Sequence, residues 1–245
     1  MKKKYQLRFW VIISIILICL CGIIYYSYKI INWKLNVDEN EIIKKDTQKD
    51  ILVNKETLEY NVDFESLKKR NPDTIAFIKV NNTNISYVVV KGNDNKYYLN
   101  HNFDKNKNAA GWIFGDYHNQ FDGTDKNLII YGHNTTDGSM FGTLINVLEH
   151  DWSDNLDNRK VILVTENQET IYQVFSTYSV IPEDYYINTK FNNNEEFNDF
   201  VQTLKLRSTY DYGIEVNGED HILTLSSCIG EGHKRVVLHA KRIEA

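Results

Sequence analysis

Residues 221–242 read HILTLSSCIGEGHKRVVLHAKR. Two apolar, alternating runs flank a polar segment that contains two glycines. Alternation with period two marks a half-buried strand. The chain therefore closes with two strands joined by a flexible loop. Cys228 stands at the end of the first strand, with Ser226 and Ser227 before it, and Arg235 opens the second. The other two cysteines, Cys19 and Cys21, lie far upstream in an apolar run, where they act as small apolar residues. A lone thiol on an extracellular domain is either buried and inert or reactive.

The same texture extends back to residue 76. Strand-like runs fall at 76–80, 85–90, 111–114, 128–131, 161–165, 171–180, 221–227 and 236–242. Polar breaks such as NNTN, KGNDN, DGTDKN, TENQE and VNGED separate them. Many short strands with polar turns predict a mostly antiparallel barrel or sandwich. Two helices interrupt the pattern. One spans 140–148, with Ser139 as its N-cap. The other spans 195–206, with Phe197, Phe200, Val201 and Leu204 on one face and Asn194 as its cap. Glu195 and Glu196 suit its positive N-terminus. Residues 34–70 are charged, and Ile42, Ile43, Ile51, Leu52, Leu58, Phe64 and Leu67 fit an interrupted amphipathic helix. This segment reads as a stalk with one or two helices against the main domain, stopped by Asn71-Pro72.

The N-terminus is built for a membrane. MKKKYQLR carries four cations, and no charged residue occurs from Phe9 to Tyr28. About 20 apolar residues at a rise of about 1.5 Å span the hydrocarbon core. Aromatics flank the run: Phe9 and Trp10 on one side, Tyr25, Tyr26, Tyr28 and Trp33 on the other. A cleaved signal peptide would have a shorter apolar region followed by a small-residue site, which is lacking here. The expected organisation is a cytoplasmic 1–8, an anchor at 9–31, a stalk with helical extension at 32–70 and a main domain at 71–245, outside the cell. Six of the 28 cations lie in residues 1–34, which hold no acid. The remaining 22 face 33 acids, so the ectodomain is acidic, and nothing in the charge balance favours nucleic acid.

A nucleophilic thiolate needs a base or a positive field beside it. Among seven histidines, His133 stands at a strand-to-loop junction in NLIIYGHNTTDGSMFG, where Gly132 would let the chain turn. His233 and His239 lie nearer Cys228 in sequence, so proximity alone does not choose between the three. Arg235 at the mouth of the last strand could donate to an oxyanion formed by thiolate attack on a carbonyl. No Cys/His group has zinc spacing.

TLSSC followed by RVVLHAK, with YGHN upstream, resembles the sortase family of Gram-positive surface transpeptidases. FESLKKRNPDTIAFIKV, ISYVVVKGNDNKYYLNHNF and YGHNTTDGSMFGTL are similar to its class B. Ser227 stands where the family more often has threonine. The likeness covers roughly residues 60–243. It implies an eight-stranded β-barrel with N-terminal helices and a helix inserted between late strands. It implies Cys228 as nucleophile, His133 as general acid/base and Arg235 as stabiliser of substrate and oxyanion. Asn95, Leu99, Tyr131, Tyr186, Ile187 and Ser226 would line a groove for the sorting signal. The implied partners are surface proteins with a C-terminal sorting signal of NPxT type, and a peptidoglycan precursor or cross-bridge amine. No metal or organic cofactor is called for. The rival readings are a tethered thiol peptidase that uses water and a non-catalytic peptide-binding module.

Overall fold

The computed structural model describes residues 2–54, 59–228 and 234–243, with the backbone alone for residues 2–8 and Cys228. The chain divides into two units, Met1–Glu39 and Asn40–Ala245. The first lies within helix α1 (Lys2–Thr47). From Phe9 this helix is long and apolar enough to cross a membrane, and most of its apolar side chains between Phe9 and Leu35 are exposed.

The second unit is a closed eight-stranded barrel. Its strands are β3 (Thr74–Val80), β4 (Ser86–Val90), β5 (Phe114–Gly115), β6 (Asn127–His133), β7 (Lys160–Val164), β8 (Glu169–Val180), β9 (Ile222–Cys228) and β10 (Arg235–Ile243). Around the barrel the order is β10-β8-β7-β3-β4-β5-β6-β9. The pairs β4–β5 and β6–β9 are parallel, and the rest are antiparallel. Each of the eight strand-like runs corresponds to a barrel strand, shifted by a few residues at most. Apolar residues from every strand, with Trp112, Phe103 and Phe141 from the connections, fill the core.

Helix α2 (Phe64–Arg70) starts on Asp63, whose carboxylate accepts from Ser66 N, and ends at Asn71 as the Asn71-Pro72 pair requires. Ile42 and Ile43 are helical, within α1, but between α1 and α2 the helical expectation fails. Strands β1 (Ile51–Val53) and β2 (Tyr60–Val62) pair as a small antiparallel sheet, so Ile51 and Leu52 belong to a strand. Leu58 lies outside the described residues. The predicted helix at 140–148 is a 3-10 helix, Gly142–Leu148, preceded by Met140 at φ 48. Ser139 does not cap it: its hydroxyl donates to Asp137. A short α3 (His150–Asp154) follows. The inserted helix α4 (Asn194–Leu206) begins one residue earlier than predicted, because Asn193, not Asn194, accepts from Glu196 N at 2.8 Å. Its face of Phe197, Phe200, Val201 and Leu204 is buried against Phe175, Tyr186 and Val237.

Candidate active site

Three strand ends meet at one end of the barrel. In the parallel β6–β9 pair, Tyr131 is matched with Ser226, Gly132 with Ser227 and His133 with Cys228. Paired strands lie about 4.8 Å apart. On the other edge of β9, β10 runs antiparallel, with Val237 opposite Ser226. Val236 N donates to Ser227 Oγ at 2.8 Å. Carrying that register one residue further brings Arg235 opposite Cys228. The backbone ladders alone thus gather the three sequence-nominated residues on adjacent strands.

His133 is half-buried, and its Nε2 lies 2.7 Å from the Leu99 carbonyl oxygen. A carbonyl only accepts, so Nε2 carries the hydrogen and Nδ1 is left to exchange a proton. The His133 carbonyl in turn accepts from Phe141 N at 2.9 Å. Gly132 does not turn the chain, since it is a strand residue of β6. Its role is clearance: an added Cβ would lie 2.4 Å from Ile113 Cδ1 and 2.8 Å from Phe141 Cγ.

The guanidinium of Arg235 is held by a buried phenol. Arg235 Nη1 donates to Tyr186 Oη at 3.1 Å. Tyr186 Oη also lies 3.0 Å from Ser226 Oγ, and either hydroxyl can be the donor in that bond. Tyr186 and Ser226 are two of the residues expected to line a groove. Both are fully buried, and their hydroxyls are engaged by protein groups. Tyr131 is likewise buried, with its hydroxyl on Asp116 Oδ2 at 2.8 Å. Asn127, which the sequence did not single out, fixes the Tyr186 turn. Its amide donates to the carbonyls of Tyr186 and Asn188, while its oxygen accepts from Thr224 Oγ1 at 2.6 Å.

Asn95, Leu99 and Ile187 are half-buried. Asn95 and Ile187 share an open cleft of about 640 Å³ with Asp116, His118, Tyr185 and Lys190. Asn95 donates to Asp116 Oδ2 at 2.7 Å, and the Asp116 carboxylate also orients His118 through Nδ1 at 2.8 Å. Leu99 acts on His133 through its backbone carbonyl, a role no side-chain pattern could reveal.

Of the rival histidines, His233 lies outside the described residues. His239 is fully buried, with Nε2 2.9 Å from Tyr178 Oη and Nδ1 2.8 Å from Thr224 Oγ1. Thr224 spends its hydrogen on Asn127, so His239 Nδ1–H donates to Thr224 and Nε2 accepts from Tyr178. Burial first, then the nearby Arg207 charge, pushes its pKa from 6.5 down to about 3. His239 is a neutral structural residue. A lowered folded-state pKa means the unfolded chain binds the proton better below pH 6.5. The stability tied to His239 is complete above that pH and is lost as pH falls toward 3, at about 1.4 kcal/mol for each whole step of pH. Urea unfolding at pH 7 and pH 5.5 should show the wild type losing roughly 1 kcal/mol more than His239→Gln. Parallel losses in the two proteins would assign the acid sensitivity elsewhere.

Comparison with known proteins places this geometry. The sequence model of the sortase domain matches residues 78–243. Sortase B of Listeria monocytogenes is 34% identical over 205 residues, covering 80% of this chain and 82% of that protein. Sortase B of Staphylococcus aureus is 33% identical over 97% of this chain and 98% of its own length. A solved structure of sortase B from Bacillus anthracis superposes with a TM-score of 0.77 at 29% identity, covering 86% of this chain and 99% of that one. With the closed barrel and the strand-end cysteine already in hand, these matches settle the assignment: this chain belongs to the sortase family, in class B, and is a cysteine transpeptidase.

Proposed function

We propose that this class B sortase cleaves an NPxT-like sorting signal after its threonine, holds the surface protein as a thioester on Cys228 and passes it to a cell-wall amine. The observation that carries this reading is the strand register that sets His133 beside Cys228 and points the start of β10 at the same spot. In the first half-reaction the Cys228 thiolate attacks the threonine carbonyl. Arg235 donates to the oxyanion of the tetrahedral intermediate. The carbon–nitrogen bond then breaks as His133 Nδ1 gives its proton to the leaving amine. In the second, an acceptor amine attacks the thioester and His133 takes up its proton. The thiolate leaves, and a new amide remains.

Residues 9–31 serve as the membrane anchor, residues 1–8 stay in the cytoplasm, and residues 32–70 carry the catalytic domain, 71–245, outside. The basic cluster before the anchor supports that orientation. Tethering holds enzyme, surface protein and lipid-linked precursor at one surface and raises their effective concentration.

The test is an assay of NPxT-type peptides with and without a short oligoglycine amine. The expected result is an amide-joined product that appears only with the amine. Hydrolysis alone, unchanged by amine, would make the protein a thiol peptidase. An intact protein that neither turns over peptide nor reacts with a thiol probe at Cys228 would be a binding module.

A further inference from the structure

The part of helix α1 that belongs to the barrel unit is more than a stalk. Asn40, Ile43 and Thr47 share one buried face at spacings of three and four. Asn40, 1% exposed, donates from Nδ2 to the Gly111 carbonyl at 2.9 Å and to Asn108 Oδ1 at 3.3 Å. The same Asn108 oxygen accepts from Ala110 N at 3.0 Å, so the amide clasps the whole 108–111 turn. That turn presses on the His133 site. Gly111 sits at φ +59, and a Cβ there would lie 2.4 Å from the Tyr98 oxygen, 2.9 Å from the Leu99 oxygen and 3.0 Å from His133 Cδ2. Leu99 is the residue whose carbonyl receives His133 Nε2–H. Gly111 therefore borders both the imidazole edge and the carbonyl that accepts from it.

A second route runs from the next turn of the helix. Lys44 Nζ donates to the Asn84 carbonyl at 2.9 Å and lies 4.2 Å from the centre of the Tyr87 ring. The Tyr87 hydroxyl accepts from Met140 N at 2.9 Å, and Met140 is held in the left-handed region at φ 48. The following residue, Phe141, donates to the His133 carbonyl. The helix thus touches the His133 surroundings through the ring side and through the backbone side.

We propose that Asn40 is a positioning residue for His133, acting through Gly111 to set the imidazole against the β6–β9 strand ends. The membrane-proximal helix is then part of the catalytic assembly. The proposal rests on the reading of His133 as the general acid/base.

The test uses the full chain in detergent micelles, with Asn40→Ala, Asn40→Ser and, as a control on the same helix face, Thr47→Ala. Thr47 is equally buried, and its hydroxyl turns back to the Lys44 carbonyl. Two readouts are taken: kcat and KM on a sorting peptide, and the carbon-labelled histidine NMR signals, with that of His133 assigned by its loss in His133→Ala. Asn40→Ala is expected to lower kcat about tenfold at unchanged KM and to move the His133 signal. Thr47→Ala should lower Tm without either effect. If Asn40→Ala fails to fold, Asn40→Ser is read in the same way. An unmoved His133 signal with unchanged kcat in the folded Asn40 variant overturns the proposal. A His133→Ala protein that keeps its turnover would instead overturn the acid/base reading, while the NMR shift in the Asn40 variant still reports on the brace.

Discussion

Cys228→Ala is expected to remove transpeptidation, with a fall of more than about ten-thousandfold in kcat/KM. The size follows from the chemistry. Without sulfur no thioester forms, and the remaining groups must assist direct attack of an amine on an unactivated amide. The β6–β9 ladder fixes the backbone of Cys228 opposite His133, so loss of the side chain leaves the barrel's pairing intact. The variant should fold, bind peptide and fail to turn it over. Mass spectrometry of the incubation checks this directly: wild type gives an acyl-enzyme adduct at Cys228 and the joined product, the variant neither. Cleavage of an NPxT-type peptide by the alanine variant would move the nucleophile to another residue.

Arg235→Lys should cost about a hundredfold in kcat/KM, although charge is conserved. The guanidinium is planar and carries several donors in a fixed fork. One of them already engages Tyr186 Oη, which orients the rest. A lysine offers one ammonium on a flexible stem and cannot hold the phenol and a developing oxyanion together. Steady-state rates on the sorting peptide test this, with the weaker Tyr186→Phe variant as a companion. Rates within a few-fold of wild type would make Arg235 a structural residue of β10.

The strands were legible because short apolar runs bounded by polar turns are a local property, and each barrel strand falls on such a run within a few residues. Pairing was not. That β6 and β9 are parallel, which sets His133 beside Cys228, depends on the long connection between them and has no local mark. Sequence spacing fits helix or strand equally well over the brief apolar pair Ile51-Leu52, hence the missed hairpin. The family resemblance named His133 over its rivals, while spacing alone left them open; burial sets one of them, His239, aside, since it is spent on two hydroxyls inside the core. The burial of Tyr186 and Ser226 and the contact between their hydroxyls were not legible, because a motif gives identity and not the direction in which a hydroxyl points. The contribution of Leu99 comes from a backbone carbonyl, which every residue type presents alike, and that of Gly111 from a missing Cβ whose neighbours lie far away in the chain. The Asn40 clasp spans 71 positions of chain, beyond any motif window.

The barrel is sealed by its final two strands, with β10 lodged between β9 and β8. Translation proceeds from the other end. A nascent polypeptide therefore displays its imidazole long before its thiol and guanidinium have been synthesised, and the seam stays unzipped until β9 and β10 have been read. On the proposed reading of Cys228, a molecule halted before β9 lacks the nucleophile with which to misprocess its neighbours.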